Sequence, residues 1–150
     1  MDIPYASATS GSAARTEIMR VLRRFGCSSV GFMDDFDSNA VILQFQWRDR
    51  PIQMRASANG WASAWLKANP WTPRRRLRLK QYEEKALGQG MIAINSILRD
   101  WVKGQVTAVE TGIMTFDHAF LPHMIDNEGR PGIEVLQDHL ALSAPTPEEK

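Results

Sequence analysis

The most concentrated chemistry in this sequence is a run of cations that follows three tryptophans. The run spans residues 74–80, and five of its seven side chains are cationic. Cations neutralise phosphates and aromatic faces stack on unpaired bases, so this combination is typical of proteins that bind single-stranded nucleic acid. The binding residues predicted in this segment are Trp61, Trp65, Trp71, Arg74, Arg75, Arg76, Arg78 and Lys80.

The same segment also has a simpler interpretation. The tryptophans then belong to the core, and the cations are the solvated start of a helix. A basic helix N-terminus is slightly unfavourable for the helix dipole, so the cluster is mildly unexpected as a mere surface feature. Both interpretations remain open from the sequence alone.

A second set of cations is predicted on a β-sheet. Gln44, Gln46 and Gln53 alternate with apolar residues, and Arg48, Arg50 and Arg55 are the predicted binding cations among them. If Gln44, Gln46, Arg48, Gln53 and Arg55 share the exposed face, that face is polar and cationic and carries no carboxylate. With residues 74–80 it would form a basic groove for a nucleic-acid strand. The alternative is the ordinary wet face of an antiparallel sheet.

Other residue types give little indication of catalysis. Asp34, Asp35 and Asp37 resemble a cation site, but neither the glycine nor the distal glutamate of a calcium loop accompanies them, so we predict a turn. His118 and His123 are five residues apart, unlike the i, i+4 pair of a helical zinc site. Cys27 is the single cysteine, and nothing positions a histidine beside it. We predict no catalytic residue, no metal site and no cofactor.

Composition is that of a globular domain, and its charge is unevenly distributed. The chain has 150 residues, 43% of them hydrophobic, and a net charge of +1. Residues 1–106 hold sixteen Lys and Arg against nine Asp and Glu, whereas residues 107–150 hold two against eight. The split indicates a basic surface for an anionic partner and an acidic surface elsewhere, or two parts that attract each other in the fold.

The sequence carries no targeting or membrane pattern. Residues 1–16 lack the basic start and apolar run of a signal peptide, and no apolar stretch approaches the roughly 20 residues that span a bilayer. We therefore expect a cytoplasmic protein without membrane contact.

The elements that must position these residues follow from hydrophobic periodicity. The spacing predicts an α+β fold: a helix, a three-stranded antiparallel meander, then a long helix and shorter C-terminal helices. We expect one domain over residues 1–150, with a flexible arm at 1–11 and a frayed tail at 143–150. The predicted elements are a helix from 12 to 25, strands near 30–33, 41–48 and 52–57, and helices at 59–68, 79–110, after Thr115 and at 133–142.

Several short runs resemble a family of short, mostly uncharacterised proteins encoded by bacteriophages and prophages. The runs are Pro4-Tyr5-Ala6, Arg24-Phe25-Gly26, Ala108-Val109-Glu110, Gly112-Ile113 and Thr115-Phe116. The resemblance covers most of residues 4–133 and differs over 57–85. It implies a phage or prophage origin and assigns no activity to particular residues.

These observations predict a phage-encoded, non-catalytic nucleic-acid-binding protein, with single-stranded DNA in replication or recombination as the favoured partner. A second hypothesis is an inhibitor of a host defence system that binds a host protein through an acidic surface. A third is a virion or assembly protein that uses the long helix. Ile92 and Ile97, if exposed on that helix, also allow a homo-oligomer.

Overall fold

The structure, a computed structural model, describes residues 3–140 and has the predicted α+β architecture. Within those residues the long helix spans Leu79–Glu110, the bounds that its periodicity predicts. The predicted tail at 143–150 lies outside the described residues. The elements are α1 (Gly11–Phe25), β1 (Ser29–Asp35), β2 (Ala40–Trp47), β3 (Arg50–Ser57), α2 (Ala58–Ala68), α3 (Leu79–Glu110), α4 (Phe116–Phe120), a 3-10 turn (Leu121–His123) and α5 (Gly132–His139).

The three strands form the antiparallel meander β1-β2-β3 that the sequence predicts. On β2, Val41, Leu43 and Phe45 point into the core, and Gln44 and Gln46 point to solvent. This alternation fixes the register, because a slip by one residue would carry Val41, Leu43 and Phe45 to the opposite face. One face of the sheet is therefore buried, and the other is exposed at its glutamines but buried at Ala40 and Ile42.

The core lies between the sheet, α1 and the second half of α3. Ile18 and Leu22 of α1 and Val102 and Val106 of α3 are completely buried. The two helices run parallel, because Glu17 pairs with Lys103 near the middle of α1 and Arg24 pairs with Glu110 at its end. The end of α1 therefore lies beside the last residue of α3.

Helix α2 packs antiparallel to the first half of α3, and a glycine permits the close approach. An added Cβ at Gly90 would lie 2.9 Å from the Ala58 carbonyl oxygen and 3.4 Å from the Trp61 ring. Farther along, Trp65 contacts Tyr82 with 5.4 Å between ring centroids. At about 1.5 Å per residue, the 32 residues of α3 span about 48 Å, so its two ends belong to separate surfaces.

The N-terminal segment corrects one expectation. Residues 1–11 were expected to form a flexible arm, but residues 3–10 pack on α2 and α3. The Trp61 indole N–H donates to the Pro4 carbonyl at 3.1 Å, and the Gln89 amide donates to the Ala8 carbonyl at 2.9 Å. The Tyr5 hydroxyl donates to Asp100 at 2.6 Å. These bonds form part of the fold, because they satisfy backbone carbonyls that a free arm would leave to water.

The long helix does not present the apolar strip on which an oligomer was expected to depend. Ile92 and Ile97 are both half-buried, and Ile97 packs against the core. The homo-oligomer therefore loses the premise that suggested it.

None of the helices between residues 3 and 140 combines the length and the apolar character that crossing a membrane requires.

Candidate nucleic-acid interface

The cations at 74–78 sit on a folded loop rather than on a disordered linker. Asn69 and Pro70 end α2, and the chain then turns back towards α3. The Trp71 indole N–H donates to the Leu77 carbonyl at 2.7 Å and closes the loop. The Tyr82 hydroxyl of α3 donates to the Asn69 carbonyl at 2.7 Å and ties the loop to the helix. We call Arg74, Arg75, Arg76 and Arg78 the basic loop.

The basic loop is exposed and has no acidic partner. None of its four guanidinium groups lies within ion-pair distance of a carboxylate of residues 3–140, and the same is true of Lys80 and Lys85. Elsewhere in that part of the chain, only Arg23, Arg48 and Lys67 lack a carboxylate partner. The cations that do have one are Arg15, Arg20, Arg24, Arg50, Arg55, Arg99, Lys103 and Arg130.

A cleft of about 800 Å³ lies beside the basic loop. Its walls are largely apolar and aromatic, and three cations line it. Arg75 is held in place there, since its guanidinium lies 4.8 Å from the Tyr82 ring centroid and its Nε donates to the Pro70 carbonyl. We call this space the basic cleft. It is lined by Ala6, Trp65, Leu77, Tyr82, Ala86, Gly88 and Gln89, with the cations Arg75, Arg76 and Lys85.

The three predicted tryptophans have three different roles. Trp61 is only 9% exposed and packs in the core, so its prediction as a stacking platform is wrong. Trp71 holds the loop through its indole N–H. Trp65 is half-buried and forms part of the wall of the basic cleft. Of the three, Trp65 is therefore the one in position to stack on a ligand in that cleft.

Lys80 faces a different environment from the basic cleft. It lines a separate groove between α2 and α3, together with Glu83 and Glu84. These two carboxylates would repel an anionic ligand in that groove. Lys80 is consequently a weaker candidate than Arg75 and Arg76.

The predicted groove does not form between residues 74–80 and the end of the sheet that carries Arg48 and Arg50. Trp47 at the end of β2 stacks on Phe116 at 4.1 Å, beyond the C-terminal end of α3, whereas the basic loop precedes the N-terminal end. Arg48 and Arg50 flank this end of the hairpin. The length of α3 thus separates them from the basic loop by roughly 40 Å.

The sheet cations are also occupied by neighbours. Arg50 pairs with Asp117 at 2.9 Å, and the Arg48 guanidinium lies 4.3 Å from the Trp47 ring centroid. Arg55 pairs with Asp35 at 2.7 Å on the exposed face of the sheet, so the expectation of a face without carboxylates is wrong. The strand alternation was predicted correctly, but Asp35 aligns with this face only through the β1–β2 register.

The acidic C-terminal part is largely neutralised by its own fold. Glu110 pairs with Arg24 and Asp117 with Arg50. Arg130 bridges to Glu134 and to Asp138, the latter at 2.6 Å. The charge split of the sequence is thus partly explained by attraction between the two parts, and the basic loop is the densest group of cations that pair with no carboxylate of residues 3–140.

The aspartates that resemble a cation site serve as ion-pair partners. The Arg15 guanidinium donates to Asp34 and lowers the pKa of that carboxyl, and Arg55 does the same for Asp35. Among residues 3–140, no three His, Cys, Asp or Glu side chains converge as a metal ion would require. Burial raises the pKa of the Cys27 thiol to about 11, which suppresses the reactive thiolate.

Sequence reasoning missed Tyr82, Lys85 and Gly88 as residues that line the basic cleft. All three belong to α3, where their types look like ordinary helix positions. Tyr82 and Lys85 are three residues apart and so share a helix face, which is the signal that could have placed them together.

Comparison of the chain with protein-family models, with curated proteins and with solved structures finds no match.

Proposed function

We propose that this protein binds single-stranded nucleic acid, with single-stranded DNA favoured, through the basic loop and the basic cleft, and that it does so without catalysis. The observation that carries the proposal is the set of exposed guanidinium groups, paired with no carboxylate of residues 3–140, next to a half-buried tryptophan. Most other cations of the described chain are held by carboxylates, so this concentration is not the general character of the surface.

The position of the basic loop makes an anion the natural partner. The loop directly precedes α3, whose first turn contains no acidic side chain. Free backbone N–H groups and the positive end of the helix dipole also favour negative charge at such a point. Like charges gathered here repel one another in the free protein, and bound phosphates relieve that repulsion.

The aromatic wall favours an unpaired strand over a duplex. In a duplex the bases are stacked on each other and their faces are not available to a protein side chain. A single strand presents those faces, and stacking on an aromatic ring contributes about 1–3 kcal/mol per base. Trp65 supplies such a ring within the same cleft as Arg75 and Arg76.

The resemblance to phage and prophage proteins extends this proposal to a biological setting. It suggests a role in phage DNA replication or recombination in the cytoplasm of the host cell. The inhibitor of a host defence protein, expected to use Glu110, Asp117, Asp126, Glu128, Glu134 and Asp138, has weaker support. Four of these six carboxylates, all but Asp126 and Glu128, are paired with the protein's own cations. An acidic surface that mimics nucleic acid would need those charges free.

The test measures binding of a fluorescently labelled oligonucleotide by anisotropy as a function of salt. If about four phosphates are neutralised, the slope of log affinity against log salt is about −2.8, and affinity falls about fifty-fold between about 50 and 200 mM salt. Changing Arg74, Arg75 and Arg76 together to alanine should flatten the slope by about two units.

A matched control removes the same charge elsewhere. Arg20, Arg23 and Arg24 are exposed on α1, and Arg24 contacts Glu110 at the far end of α3. Changing these three to alanine should leave the slope nearly unchanged. The proposal is refuted if no binding occurs at low salt, or if both triple variants weaken binding equally, since the second result would indicate a general response to net charge.

A further inference from the structure

We propose that the basic cleft receives a single unpaired base of the bound strand, stacked on Trp65, while Arg75, Arg76 and Lys85 hold the neighbouring phosphates. This inference rests on the proposed function and makes it more specific. It divides the binding energy into a phosphate part on the basic loop and a base part inside the cleft.

The shape of the cleft supports an inserted group rather than a strand lying flat on the surface. Its volume of about 800 Å³ falls in the range of roughly 300–1,000 Å³ that is typical of pockets for small organic ligands. Apolar side chains form much of its wall, including Leu77 and Ala86. An aromatic base with a polar edge suits such a wall better than a sugar or a phosphate does.

The aromatic side chains in the cleft are arranged for one stacking position. Tyr82 is 5% exposed, with Trp65 against it at 5.4 Å between ring centroids and Arg75 lying over its ring. It therefore supports the other two side chains and has little free surface of its own. The partly exposed side chain of Trp65 is left as the platform, and the planar guanidinium of Arg75 lines the same cleft as a second flat surface.

Gly88 keeps the cleft open. It lies in α3 and lines the cleft, and a Cβ added there would meet nothing within 4 Å. A larger side chain at this position would project into the space assigned to the base. The same helix contains a matched control, because Gly104 is also exposed, also has open space around a Cβ, and lies 16 residues, or about 24 Å, farther along.

The experiment compares two single strands of equal length, a short oligothymidylate and an abasic strand that has the same phosphates without bases. In the unchanged protein the oligothymidylate should bind more tightly by about five- to 150-fold, the fold-change of one stacked base. Gly88→Leu should remove most of that advantage and leave the affinity for the abasic strand unchanged. Gly104→Leu should leave both affinities unchanged.

A second variant tests the platform itself. Trp65→Leu removes the aromatic face and keeps the charge, so it should reduce the same base-dependent part of the affinity. Circular dichroism confirms that each variant is folded. Failure of the inference and failure of the function are distinguishable. If both strands bind but Gly88→Leu behaves like Gly104→Leu, or weakens both strands equally, the base pocket is refuted and phosphate binding stands. If neither strand binds, both proposals fall.

Discussion

Two glycines of α3, Gly88 and Gly90, lie two residues apart and should respond differently to the same substitution. At Gly90 an added methyl group would lie 2.9 Å from the backbone carbonyl oxygen of Ala58, which a side-chain rotation cannot move away. At Gly88 the methyl group would enter open space. Gly90→Ala should therefore push α2 and α3 apart, and Gly88→Ala should not.

The magnitude follows from two effects. Replacing a helical glycine by alanine stabilises a helix by about 1 kcal/mol, and this gain is common to both positions. Overpacking at a close contact typically costs about 1–3 kcal/mol, and it applies only at Gly90. The difference in unfolding free energy between the two variants is then about 1–3 kcal/mol. For a chain of this length that corresponds to a difference in Tm of about 2–12 °C.

Thermal unfolding followed by circular dichroism measures the three proteins under one set of conditions. We expect Gly88→Ala to melt above the unchanged protein and Gly90→Ala to melt below Gly88→Ala by the stated margin. The close packing of α2 on α3 at Gly90 is refuted if the two variants have the same Tm. Oligonucleotide affinity gives a second reading, because displacement of α2 moves Trp65 and should weaken binding in the Gly90 variant alone.

Two further predictions concern titratable side chains. The pKa of Asp34 is lowered by hydrogen bonds from Arg15, so the ion pair stabilises the fold above the ordinary value of 3.8, and this contribution is lost as pH falls through the lowered pKa. Asp34→Asn should accordingly lower the Tm at neutral pH. The difference in Tm between this variant and the unchanged protein should shrink as pH falls below 3.8. A difference in Tm that does not depend on pH would contradict this prediction. Burial raises the pKa of Cys27 to about 11, so at pH 8 its thiol should react with a disulfide reagent about two orders of magnitude more slowly in the folded protein than in denaturant. Equal rates, measured by absorbance, would contradict the burial of that thiol.

Local periodicity predicted the fold well because burial follows it directly. The period of α3 and the alternation of β2 each leave one arrangement in which their apolar residues meet a core. Helix capping also depends on local residue type. The Thr115 side chain accepts a hydrogen bond from the His118 backbone N–H at the start of α4, as its residue type predicts. Such features depend on a few neighbouring residues, so the sequence contains what is needed to predict them.

The interface was harder to predict because its character depends on distant partners. Arg50 and Arg74 look alike in the sequence, yet Asp117 neutralises one and no carboxylate of residues 3–140 reaches the other. Likewise Trp61 and Trp65 are one helical turn apart, and only the approach of α2 to Gly90 decides that Trp61 is the one in the core. Contacts between residues tens of positions apart in the chain, such as these, are not encoded in a local pattern.

Net charge is a poor guide to this molecule. Its value of +1 hides the basic loop, because eight of the fourteen carboxylates of residues 3–140 are paired with other cations. Folding selects which charges meet, so an almost neutral chain presents a local positive field at one end of a helix of about 48 Å. Under the proposed function, a phosphate chain approaching the protein responds to that local field. The quantity that then sets its affinity is the number of guanidinium groups near the cleft that no carboxylate of residues 3–140 neutralises.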